Sequence, residues 1–338
     1  MVASESAHPT WVARAVGRRH EVAFLVAVAA ALAAAALLGV AWAAGFARER
    51  HLLLRPGWPW LGIAVVAEML AYVGYTVAYR EVVRAERGAE LDVPKAAALV
   101  ATGFGVFLQG GGFTLDREAL KRAGLAERDA RARVLGLGAL EYSVLAPAAV
   151  AAALVVLVRG LPISGSLTFP WIIGVPAGAV VALSALAFKG RLSGRTGWRA
   201  RIGHALEALE LVLRLARSPR KYALAFVGMS FYWLGDIACL WSALHAFAVH
   251  TPPVAQLIIG YATGYAITRR ALPLGGAGVV EALLPFALGW VTIELAPAFA
   301  AVLAYRLINL WLPMVPALAG IPSLRRLERR QTTRPRSA

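Results

Sequence analysis

A chain of 338 residues that is 59% hydrophobic, with a mean hydropathy of +0.64, is more apolar than soluble domains, which hold ~45–50% apolar residues. Its +16 net charge lies in connections and tail rather than on one folded face, which sets nucleic-acid binding aside in favour of a positive-inside bias and contact with anionic headgroups. The lone cysteine, Cys239, excludes an intrachain disulfide and a cysteine-based metal site.

In chain order, residues 1–21 read as a cytoplasmic N-terminal segment carrying Arg14, Arg18 and Arg19. The apolar run from Val22 to Phe46 is too long for the ~7–15-residue core of a signal peptide, so it reads as an uncleaved first span. Arg18–Arg19 as a twin-arginine signal is the weaker alternative. Further apolar segments follow at 58–79, 96–115, 134–158, 167–188, 222–249, 254–268, 273–292 and 297–319. The connections at 80–95, 116–133 and 189–221, and the tail from Arg325, are rich in Arg and Lys. Those at 159–166 and 250–253 carry one basic residue and none. Lys/Arg excess marks the cytoplasmic side. The expectation is a multi-pass protein of the cell membrane with both termini cytoplasmic.

That rule creates a conflict at 96–115, whose two flanks are both basic although one crossing cannot return to its own side. The stretch "ATGFGVFLQGGGF" (101–113) answers it, since five of its thirteen residues are Gly and disfavour a continuous helix. A re-entrant hairpin fits, and such backbone survives only where protein or water covers it. Segment 254–268 is also short, and Pro273, Gly275, Gly276 and Gly278 follow it. This pair is either two short spans or a second hairpin entering from outside. "ATGFG" and a later "EAL" at 118–120 are echoed by "ATGYA" (262–266) and "EAL" at 281–283. Either chance or an inverted repeat accounts for the echo, and broken segments at matching positions point to a transporter's binding site. The expected fold is an all-α, polytopic helical membrane protein of about 7 to 8 spans with one or two Gly-rich re-entrant hairpins.

The stretch 198–217 is amphipathic, with Trp198, Ile202, Leu206, Leu209 and Leu213 at helical spacing. It reads as a helix lying in the interface or as one packed on the other loops. Within the spans the ionisable groups are Glu68, Glu141, Asp236, Glu281 and Arg306. Each is costly at mid-membrane and belongs against a cavity or a partner. Glu281 follows "PLGGAG". A helix starting near Gly276 would present unpartnered amides to an anion, and Glu281 would cap them or receive a cation. Arg306 can fork onto a phosphate or a carboxylate. The structural alternative for all five is that they pair with one another or are protonated and hydrogen-bonded, a reading favoured for Glu141 near the cytoplasmic end. His245 and His250 are five apart, off the spacing of a helical metal pair, and HExxH, GxSxG, Walker A and GxGxxG motifs are absent. No cofactor is expected, and no enzyme activity.

"RRALPLGGAGVVEALL" with "AYRLINLWLP" downstream resembles the membrane-embedded, flippase-like region of lysylphosphatidylglycerol synthases, over roughly residues 20–320. Residues 103–142 fit that family's first Gly-rich element and cytoplasmic segment, although "QGGGF" lacks a proline matching Pro273. The resemblance implies a single flippase-like domain at 22–320 followed by a basic cytoplasmic tail at 321–338. In the full-length synthases this region is associated with moving aminoacylated phosphatidylglycerol to the outer leaflet, and a fused soluble domain makes the lipid. The chain ends near residue 338, so synthase activity is not expected. The expected function is transport of a phospholipid or lipid-linked anion between leaflets. The alternatives are an integral membrane enzyme on phospholipid or polyprenyl-linked sugar, and a scaffold for a partner transferase. Substrate binding is assigned to Pro273, Gly275, Gly276, Gly278, Glu281 and Arg306, with Glu68, Asp236, Arg269, Arg270 and Asn309 as secondary positions. The partners expected are the lipid itself, anionic headgroups at the cytoplasmic face, and a second copy or a transferase.

Overall fold

The structure is a computed structural model, and it describes residues 19–45, 56–105, 112–194, 196–247, 251–266 and 273–319. Most of the N-terminal segment, the basic tail, and Arg269 and Arg270 lie outside the described residues. Among those described, all regular structure is helical. Six helices are long and apolar enough to cross a membrane: α1 (His20–Ala43 of the helix Arg19–Ala44), α2 (Trp58–Arg84), α5 (Glu127–Arg159), α6 (Gly165–Ala187), α9 (Pro219–Ala246) and α12 (Leu295–Ala319). Between them run α3 (Val93–Gly103), α4 (Gly112–Arg122), α7 (Lys189–Leu192), α8 (Gly197–Arg217), α10 (Val254–Tyr261) and α11 (Val279–Trp290). Among the described residues six helices are long enough to cross, against the about 7 to 8 spans expected, because α10 and α11 are too short to cross.

Helices α2 and α9 form the central antiparallel pair. Gly57 N–H donates to the Ala246 carbonyl at 2.6 Å, which joins their outer ends. Along the pair, a Cβ added at Gly74 would lie 2.5 Å from the Gly228 carbonyl oxygen, and one at Gly235 would lie 2.5 Å from that of Ala67. The backbones therefore touch where only hydrogen fits. Lipid tails are as apolar as side chains, so close van der Waals packing of small residues drives helix association here. This contact sets Glu68 and Asp236 side by side, because they neighbour Ala67 and Gly235 in sequence.

Two hairpins enter the bundle from opposite ends. In the first, α3 and α4 are each 11 residues, about 16 Å long, short of the ~30 Å hydrocarbon core. They fold back on each other, since a Cβ at Gly112 would lie 2.4 Å from the Gly103 carbonyl oxygen. Phe104, at the inner end, stacks edge-on against Tyr72 and Tyr75 of α2. In the second, α10 runs on through a widened π-helical turn, Ala262–Ala266, and α11 returns beside it. Gly264 packs on Leu284 and Ala287, and Gly260 on Val291. The 12 residues of α11 span about 18 Å. Of the two readings left open by sequence, the half-length hairpin matches these arms. The "ATGFG" and "ATGYA" stretches both end the first arm of their hairpin, and both "EAL" stretches lie on the return arm.

The charged connections gather at one end. Arg128 pairs with Glu207 at 2.6 Å, Lys189 with Glu210 at 2.6 Å, Arg214 with Glu86 at 2.7 Å, and Lys121 with Glu127 at 2.8 Å. The hydrogen bond from Lys189 holds the Glu210 carboxyl below the usual carboxylate range. Buried Arg133 of α5 caps the same end of α2, its guanidinium donating to the Val83 and Ala85 carbonyls at 3.0 and 2.7 Å. Helix α8 packs here on the protein. Its buried stripe is Gly203, Leu206, Ala208, Leu211, Val212 and Leu215, while Trp198 is exposed. That is a rotation from the stripe expected by hydropathy, because α8 seats Leu211 against Gly136 of α5.

The α2–α9 contact generates the first prediction. Gly235→Val should lower the melting temperature of the purified protein by several degrees, as overpacking costs about 1–3 kcal/mol. Gly178→Ala, on α6 with nothing within 4 Å, should leave it unchanged. Equal melting temperatures for Gly235→Val and wild type would contradict the close contact.

Candidate functional site

The inner end of the second hairpin is built by a run of left-handed backbone. Leu274, Gly275, Gly276 and Gly278 have φ of 57°, 63°, 71° and 85°. Glycine adopts this region freely, whereas Leu274 does so at a cost of about 1–3 kcal/mol. Helix α11 then starts at Val279, three residues beyond Gly276. A Cβ at Gly278 would lie 3.2 Å from the backbone oxygen of Leu32, midway along α1. The helix therefore begins at mid-span depth.

Glu281, in the first turn of α11, uses both carboxylate oxygens. Oε2 accepts the Gly278 N–H at 2.7 Å, and Oε1 accepts Arg306 Nε–H at 2.7 Å. Arg306 Nη2 donates to the Gly275 carbonyl at 3.3 Å, and its guanidinium stands 5.9 Å from the centre of the Tyr265 ring. With Glu281 0% and Arg306 1% exposed, this is a fully buried ion pair. Such pairs yield little net stability, but removing one partner costs about 3–5 kcal/mol because the other charge stays buried.

One turn along α12, Asn309 gathers a second layer. Its Nδ2 donates to Glu68 Oε1 at 3.0 Å and to Asp236 Oδ1 at 2.8 Å. Tyr265 O–H donates to Asn309 Oδ1 at 2.8 Å, which orients the amide so that its N–H groups point at the two acids. Asp236 also accepts from Tyr305 on Oδ1 at 2.7 Å and from Tyr261 on Oδ2 at 2.6 Å. Both hairpin and helix adjust to reach this layer: Tyr265 lies in the widened turn Ala262–Ala266, and Asn309 in a second one, Leu307–Trp311. Such turns are frequent at functional sites.

The structure thus brings Gly275, Gly278, Glu281 and Arg306 into one contact set and joins Glu68, Asp236 and Asn309 to it. Gly276 is buried in the same turn and Pro273 opens it. Of the two roles expected for Glu281, capping an amide or receiving a cation, the structure shows the first, at the Gly278 amide. Glu141 lies apart on α5, where its carbonyl accepts the Trp233 indole N–H at 2.9 Å. Sequence reasoning missed Tyr261, Tyr265 and Tyr305. Their signal was present, as Tyr261 and Tyr265 are one helical turn apart and Tyr305 adjoins Arg306. Chemically, Arg306 and the amide at the start of α11 suit an oxyanion, while Glu68 and Asp236 suit a proton or a cation. Among the described residues no three His, Cys, Asp or Glu side chains converge as metal ligands.

The family model described as the lysylphosphatidylglycerol synthase TM region matches residues 22–317. No curated protein matches the chain. The matched stretch holds both hairpins and every residue of the polar layers just described. This multi-pass helical membrane protein therefore belongs to the lysylphosphatidylglycerol synthase transmembrane-region family.

Proposed function

We propose that the chain is a flippase-like transporter that moves a phospholipid or lipid-linked anion between leaflets, with no synthase or other enzyme chemistry of its own. The observation that carries this reading is the buried Arg306–Glu281 pair at the inner end of a half-length helix. Half-length helices that stop at mid-depth, with their N-termini beside a charged layer, are a way to hold a polar group inside the membrane. A headgroup phosphate has Arg306 and backbone amides to meet there, while the acyl chains stay in lipid. Membrane-buried charges are costly to keep, which favours a use beyond packing. Lys/Arg bias makes the charged end cytoplasmic, with both termini on that side of the cell membrane and anionic headgroups beside it.

The topology is tested with single cysteines at Glu90 and Arg122 in a Cys239→Ser background. Both are expected to resist an impermeant thiol reagent in intact cells and to react after permeabilisation. Labelling of one alone in intact cells would make α3 and α4 parts of a crossing.

Transport is tested with purified protein in liposomes. Wild type is expected to exchange a fluorescent phosphatidylglycerol between leaflets, chemically unaltered. Arg306→Ala should slow exchange at least tenfold, and Arg306→Lys should also impair it, since the planar fork is lost. A covalently altered lipid that requires Glu281 would instead establish an enzyme. Equal exchange with and without the protein, across a panel of headgroups, would remove the transport reading.

A further inference from the structure

We propose that Glu281 is an internal stand-in for the substrate's oxyanion, so that a lipid is bound by displacing Glu281 from Arg306 and from the Gly278 amide. This rests on the reading of the site as a headgroup carrier and specifies how that site is kept closed and what it selects.

The geometry is that of a ligand already bound. One carboxylate spans the two donors an incoming anion would use, a guanidinium Nε–H and the amide that opens α11, both at 2.7 Å. The occupant comes from the chain itself, from the first turn of the helix whose terminus it caps. A phosphate group offers oxygen pairs of similar spacing, so it replaces the carboxylate without moving either donor. A lipid phosphodiester spreads one negative charge over two unesterified oxygens, as the carboxylate it replaces does, so both donors stay satisfied and the buried guanidinium stays paired. The exchange therefore favours an anionic headgroup over a neutral one.

Energetics exclude simple opening. With both partners buried, withdrawing Glu281 alone strands a guanidinium that cannot deprotonate. Only an anion arriving in its place removes that penalty. Water that accompanies a headgroup solvates the displaced carboxylate. The turn that makes the exchange is under tension, because Leu274 holds a left-handed conformation next to Gly275, whose carbonyl accepts from Arg306. Without ligand the chain closes its own polar layer, which keeps ions from leaking along Glu68, Asp236 and Asn309.

The test measures binding of a short-chain phosphatidylglycerol to the full chain in neutral detergent, with the matching diacylglycerol as the phosphate-free probe. Wild type, Glu281→Gln, Glu281→Asp and Arg306→Met are compared, with melting temperatures read alongside. Glu281→Gln should melt below wild type and bind phosphatidylglycerol at least tenfold more tightly, with a larger ligand-induced rise in melting temperature. Glu281→Asp, too short to span both donors, should bind more tightly by a smaller factor and keeps the test decisive if Glu281→Gln fails to fold. Arg306→Met should lose binding, and diacylglycerol should bind none of them selectively. If Arg306→Met loses binding but neither Glu281 variant gains it, Glu281 is no competitor and the inference falls while the site stands. If Arg306→Met binds like wild type, the headgroup reading of the site falls with it.

Discussion

At the middle of a bilayer there is no water to answer a polar group, so each one must find its partner inside the protein. That constraint organises this molecule. Arg306 is held from the hairpin by Glu281 and by the Gly275 carbonyl. Asp236 is held by Tyr261, Tyr305 and Asn309, and Glu68 by Asn309. Every one of these bonds joins different helices, or a helix to the turn that precedes another. The polar layers are therefore the cross-links of the bundle as well as its candidate site.

The cross-links need close approach, and glycine supplies it. Gly74, Gly228 and Gly235 let α2 and α9 touch backbone to backbone, which sets Glu68 and Asp236 within reach of a single amide nitrogen. Gly264 lets α10 lie directly on α11, which carries Tyr261 and Tyr265 to the same layer. A helix pair held apart by larger side chains would leave these hydroxyls and carboxylates without each other. Packing and polar satisfaction thus depend on the same few positions.

The two hairpins divide the depth of the membrane between them. One reaches inward from the charged end and sets Phe104, at the end of its first described arm, against Tyr72 and Tyr75. The other comes from the opposite end and starts its return through the Gly275–Gly278 turn. Glu68 and Asp236 meet at Asn309, one turn along α12 from Arg306. Six long helices surround the arrangement, with α6 and α1 among the most lipid-exposed. In family terms this is a membrane region matched over residues 22–317, and the reading of it as a lipid carrier draws on how deeply the charged pair is set.

Much was legible in the sequence because it is local. Long apolar runs must be helices in lipid, glycine clusters must interrupt them, and a buried acid or arginine stands out against alanine and leucine. Those features alone marked the membrane class, both broken segments, and Glu281 with Arg306. What pairs with what was decided elsewhere. Asn309 meets Glu68 across 241 residues of chain, and no periodicity encodes that distance. The tyrosines' spacing and their place beside Arg306 were legible, but a tyrosine in a span reads equally as an interfacial anchor, and only packing shows the hydroxyls on Asp236 and Asn309. The start of α11 at Val279, and with it the closure of the Gly278 amide by Glu281, followed from left-handed backbone that glycine permits but does not require. Hydropathy determined which segments enter the membrane; the tertiary contacts, through glycine-tight packing and the need to satisfy every buried charge, decided which residues come together in the polar layers.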